Sequence, residues 1–196
     1  LLLRVTRQGR KLTVDGKVRL WPLVSALPGP AQRALGLDPA QPLDSRTCNI
    51  EGAAWHEGDL LLGLKEPVTA DGAILWRLAR VDDLLETGRL DPGQLSPLAR
   101  VPLGQRAGIG GAFSDLTFTP DGRLFALSTL PGVPDDQQMG ALVRLHPEDS
   151  GGYRAEILQR FPGLKPEGLA VYGAKLMLVF DLGSGDPGRW LLRGLP

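Results

Sequence analysis

An all-β fold is predicted, made of consecutive four-stranded antiparallel blades of a β-propeller that is incomplete within this chain. Three observations predict it. The 196 residues include 26 glycines and 17 prolines, a density of breakers that suits many short strands joined by tight turns. Three stretches align without a gap: EGAAWHEGDLLLGLK from Glu51, DLTFTPDGRLFALST from Asp115 and EGLAVYGAKLMLVFD from Glu167. Each of them leads through a variable connection to a glycine (Gly72, Gly140 or Gly188) and then to a Leu-x-Arg element.

Within each stretch the pattern is that of a hairpin. The turns fall at Glu57-Gly58, Asp121-Gly122 and Gly173-Ala174, and the first two pairs have the chemistry of a two-residue connection. After each turn comes a polar residue and an apolar run: Leu60-Leu61-Leu62, Leu124-Phe125-Ala126 and Leu176-Met177-Leu178. Such runs predict strands packed on both faces. Third strands hold Leu75-Trp76-Arg77, Leu142-Val143-Arg144 and Leu191-Leu192-Arg193, and Leu2-Leu3-Arg4 matches them. Fourth strands are predicted at Val18 to Trp21, Leu98 to Val101 and Ile157 to Phe161. Each ends at a proline (Pro22, Pro102, Pro162), which cannot donate to a ladder and so belongs on an outer edge.

One propeller region over 1–196 is therefore expected. It divides into a partial blade with a loop (1–48), two blades (49–104 and 113–163) and a partial final blade (165–196). Short helices are predicted outside the repeat, at Pro30 to Leu35 before Gly36 and within Val81 to Asp91.

Composition narrows the partners. Lys+Arg and Asp+Glu both number 22, so no net field draws nucleic acid or an anionic membrane, and neither is expected as a partner. No run is long enough to span a membrane. Cys48 is the single cysteine, which excludes an internal disulfide and a cysteine-rich zinc site. A chain opening at Leu1 in a third strand is expected to continue a longer protein, and the compartment stays open between periplasmic or secreted and cytoplasmic.

The aligned acids Glu51, Asp115 and Glu167 are the first candidate site. Radial symmetry brings corresponding residues around one axis, where three carboxylates suit a hard cation such as Ca²⁺. The alternative is structural, with each carboxylate accepting backbone N–H bonds. Lys65, Glu66 and Asp181 form a ligand-binding candidate, because the repeat departs from itself at Lys65-Glu66, opposite Thr129-Leu130 and Asp181-Leu182. His56 and His146 occupy different places in their blades and read as exposed turn residues. Gly108-Ile109-Gly110-Gly111 lacks the Lys-Ser or Lys-Thr of a phosphate loop and reads as a flexible lead into a strand. Ser114 lacks a G-x-S-x-G setting. The recurrent Arg4, Arg77, Arg144 and Arg193 read as solvated or paired with acids such as Asp82 or Glu148.

Asn49-Ile50-Glu51-Gly52-Ala53, Leu61-Leu62-Gly63-Leu64-Lys65-Glu66-Pro67, Pro166-Glu167-Gly168-Leu169-Ala170 and Leu178-Val179-Phe180-Asp181 together resemble a bacterial propeller family of unknown function. The chain is similar, more distantly, to the group known as esterase-like activity of phytase. These resemblances imply a propeller; they supply no catalytic residues. The leading functional expectation is a scaffold that binds a small molecule or protein at one mouth of the propeller. A calcium-assisted phytase-like or esterase-like hydrolase is the alternative, and a structural part of a larger assembly is a third.

Overall fold

The computed structural model describes residues 1–44, 46–149, 151–183 and 189–195. The fold is mostly β, in antiparallel sheets of two to four strands, and the described residues close neither a barrel nor a ring. An opening hairpin pairs β1 (Leu2–Gln8) with β2 (Lys11–Val18). Two short helices follow, α1 (Leu20–Ser25) and α2 (Gly29–Ala34). The first sheet is the meander β3 (Asn49–His56), β4 (Asp59–Thr69), β5 (Gly72–Leu78) and β6 (Leu95–Val101), with α3 (Val81–Thr87) between its last two strands. A small hairpin, β7 (Gln105–Arg106) and β8 (Ile109–Gly110), leads to the second sheet. That sheet is β9 (Ala112–Phe118), β10 (Leu124–Thr129), β11 (Met139–Pro147) and β12 (Tyr153–Pro162). The third has β13 (Lys165–Tyr172), β14 (Lys175–Asp181) and β15 (Arg189–Gly194).

The apolar runs explain the stacking. Leu60, Leu62 and Leu64 face a core shared with α1, α3 and the Leu35 and Leu37 side chains just after α2, whereas Leu61 belongs to a core shared with the second sheet. Leu124 and Ala126 enter that second core, and Phe125 and Leu127 face the third sheet. A period of two with both phases apolar thus buries β4 and β10 on both sides, whereas β14, expected to be packed on both faces as well, is buried only toward the second sheet. Each sheet has a forward face toward the next and a backward face toward the one before. First strands lie beside one another, β3 against β9 and β9 against β13. The edge strands β6 and β12 end at or just before Pro102 and Pro162, as expected.

Several expectations are corrected. The strand placed at Val18 to Trp21 is the end of β2 followed by α1, because Leu20 and Val24, one helical turn apart, both enter the core. Pro22 is tolerated there because it sits in the first helical turn, whose N–H groups have no intrahelical acceptor. The glycine segment at 108–111 is no flexible lead: Ala107 and Gly108, at φ of 51° and 81°, turn the β7–β8 hairpin. His146 lies within β11 opposite Arg154, not after the strand. Gly188 lies outside the described residues.

The largest correction concerns register. Glu57 and Gly58 form the predicted two-residue turn, both with positive φ. The middle hairpin turns over three residues, Pro120 to Gly122, because Thr119 N–H donates to the Arg123 carbonyl at 2.9 Å. Pro120 has no N–H to close the shorter loop. Counting along the ladders, one residue is bulged out of every first strand at the same height: Glu51, Ser114 and Glu167. Ser114, not Asp115, is therefore the counterpart of the two glutamates. Arg193 also leaves its expected set. Leu191 opposes Leu178 on the buried side, so Arg193 pairs with Leu176, whereas Arg77 and Arg144 oppose Leu61 and Phe125.

Candidate functional site

The shared bulge re-aims one side chain per first strand at the same end of the stack. In the first sheet a second irregularity meets it. The β4–β5 ladder jumps from Gly63–Leu75 to Val68–Ala73, so the residues between, Lys65 and Glu66 among them, leave the ladder. Lys65 Nζ lies 3.1 and 3.0 Å from the two Glu51 oxygens, and Asn49 donates to Glu51 Oε1 at 2.9 Å. The same ammonium is 4.0 Å from Glu167 Oε1 on the third sheet. Lys165 Nζ is 2.9 Å from that oxygen and 3.1 Å from Asp181 Oδ2. A hydrogen bond from Asn49 and a chain of ion pairs therefore connect Asn49 to Asp181 across two sheets.

Asp115 comes from the sheet between them. Its Oδ2 accepts from Leu169 N–H on β13 at 2.6 Å and its Oδ1 from Leu116 N–H at 2.8 Å. This is the structural role weighed for the acids, directed at the following sheet. Ser114 Oγ crosses the same junction to donate to the Pro166 carbonyl at 2.8 Å. Both residues fasten the second sheet to the third.

Burial pushes the Asp115 carboxyl above its ordinary value; the two N–H bonds oppose that shift and nearby Glu167 adds to it. Burial also raises Glu66, with Lys65 pulling it down and Glu51 pushing it up. Burial works to lower the Lys165 ammonium, yet its contacts with Glu167 and Asp181 outweigh that and hold it above the usual lysine range. Asp181 is lowered, first by the Gly183 N–H and then by Lys165.

The candidates Glu51, Lys65 and Glu167 are joined by direct contacts, and Asp181 is joined to them through Lys165. Asp115 and Glu66 sit within their electrostatic reach. Five carboxylates face two ammonium groups. Among the described residues no trio of His, Cys, Asp or Glu is grouped to hold a metal, and Lys65 brings its own cation between Glu51 and Glu167. Asn49 and Lys165 were missed in the sequence. Both stand two residues before a bulged glutamate, an offset that the strand alignment contains.

The other candidates are occupied elsewhere. His56 stacks on Phe118 at 4.3 Å, across the junction of the first two sheets. His146 is 2.7 Å from Glu156. Arg4 binds Asp15 and Asp82, Arg77 binds Asp59, and Arg193 donates to Gln159. Cys48 is fully buried, which pushes its thiol up to about 11.

Asp115 predicts a pH signature. Its folded pKa lies above the unfolded value, so between the two the folded chain holds more protons and stability falls as pH rises. Asp115→Asn removes this component. The wild-type melting temperature minus that of Asp115→Asn should decrease as pH is raised from below the ordinary aspartate range. Thermal melts across acidic to neutral pH check this; a difference that is flat or grows with pH contradicts it.

Comparison of the chain with protein-family models, curated proteins and solved structures finds no match.

Proposed function

We propose that this chain is part of a radial β scaffold of the propeller type that binds a compact cationic or zwitterionic ligand at the charged end of its first strands. Adjacent first strands, forward-on-backward stacking and a bulge at one height in every repeat support the radial reading. The observation that carries the binding reading is the convergence of Glu51, Lys65, Glu66, Asp115, Lys165, Glu167 and Asp181 from three sheets. Carboxylates predominate there, and partial burial strengthens their field toward a positive group.

Isothermal titration with spermidine, glycine betaine and CaCl₂ tests this. Spermidine or betaine should bind, about tenfold more weakly in Glu167→Gln, the worth of one charge-assisted contact. Lys65→Met should bind the same probe more tightly, because it removes a competing internal cation. No heat with any probe sinks the reading. Heat with CaCl₂ alone, lost in Glu51→Gln, would replace it with the calcium reading.

A further inference from the structure

The forward faces of the first two sheets are buried, and that of the third is open. Ladder pairing puts Ala170, Tyr172, Met177, Val179, Trp190 and Leu192 on it. Tyr172 and Trp190 are each 67% exposed. Met177 and Val179 stand in the register of Phe125 and Leu127, which are fully buried against the third sheet. An open face of this composition is the equivalent of one that receives a sheet twice elsewhere in the molecule.

The opening hairpin has the converse. Leu2 packs into the core with the first sheet and Arg4 reaches Asp82 of α3. Strand alternation therefore turns Leu3 and Val5 backward, with Val14 directly across from Val5. Leu3, Val5, Leu12 and Val14 are all exposed, Leu12 at 66%. The junctions between the three main sheets join a forward face to a backward face. Among the described residues one face of each kind is left uncovered, apolar apart from Arg7 and Lys17 on the hairpin and Lys175 on the third sheet.

We infer that the forward face of the third sheet docks on the backward face of the opening hairpin of a second copy of this chain. The occupant follows from continuity with the existing junctions. What covers such a face here is the backward side of a β element rich in Leu and Val, and the hairpin displays one. Trp190 and Tyr172 supply large anchors of the kind that dominate interface energetics. The contact is head-to-tail, so it either closes a ring or extends an open array. Closure rests on the radial reading proposed above; the docking contact does not.

Sedimentation velocity over a wide concentration range tests both. Reversible association is expected, ending at a single finite mass if the ring closes. Trp190→Glu and Val14→Glu, both at exposed positions, should each weaken it at least about 30-fold with an unchanged circular dichroism spectrum. Mixed together, the two variants should recover a one-to-one pair, because each keeps the face that the other has lost. A monomer at every concentration overturns the inference. So does association that survives both variants, or that Trp190→Glu abolishes and Val14→Glu leaves intact. A ladder of masses keeps the contact and removes the closed ring.

Discussion

Trp76→Ala should lower stability by about 3–5 kcal/mol, the usual cost of truncating a buried aromatic. Trp76 has no exposed surface and lies in the core where the first sheet meets the helices. Its indole N–H donates to the Leu35 carbonyl at 2.9 Å, at the C-terminal cap of α2. Trp76→Phe keeps most of the apolar volume but leaves that carbonyl without its donor, at about 1–3 kcal/mol. Urea unfolding of both variants separates packing from the hydrogen bond. A loss near zero for Trp76→Phe would show that the bond contributes nothing, and equal losses in the two variants would assign the whole effect to it; a loss under about 1 kcal/mol for Trp76→Ala would contradict the packing role.

Gly140→Ala should cost about 2–4 kcal/mol through overpacking, or roughly 5–15 °C in Tm for a chain of this size. A Cβ at Gly140 would come within 2.7 Å of the Leu164 carbonyl oxygen and 2.8 Å of Pro166 Cγ. Neither neighbour yields cheaply. One is backbone that accepts the Gly140 N–H at 3.2 Å, and the other is a ring fixed to the start of β13. Gly194, with nothing within 4 Å, is the control, and Gly194→Ala should stay within about 0.5 kcal/mol. Scanning calorimetry decides: a Gly140→Ala melt matching that of Gly194→Ala would mean that the second and third sheets can slide apart freely.

The strands were legible because apolar runs, turn residues and edge prolines each state a local requirement. Gly72 opens its third strand as expected, Gly140 follows the first residue of its own, and Glu57-Gly58 turns as its chemistry demands. Register was not legible, since it depends on which N–H closes a loop. Pro120 lengthened the middle turn by one residue, and a gap-free alignment then matched Asp115 to glutamates whose true counterpart is Ser114. The aligned acids were singled out for a radial reason beside a structural alternative, which Asp115 fills, and Lys65 was singled out because it broke the repeat. Their mutual neutralisation was not foreseen, because an ion pair between Glu51 and Lys65 depends on an excursion in β4 that no periodicity announces. The helical start at Leu20 escaped detection for a related cause: Pro22 reads as a strand terminator and equally well as a first-turn residue.

The extra residue that each first strand sets aside has a consequence for how such a molecule can change. Glu51, Ser114 and Glu167 differ in charge and size, yet strand pairing resumes beyond each of them. At Glu51 and Glu167 the side chain contributes nothing to strand pairing, so exchanging it alters what the end of the stack displays while the strands keep their register. Ser114 is different, because it is buried and its hydroxyl is spent on the Pro166 carbonyl. Two exchangeable slots at one height allow the chemistry of that end to vary independently of folding.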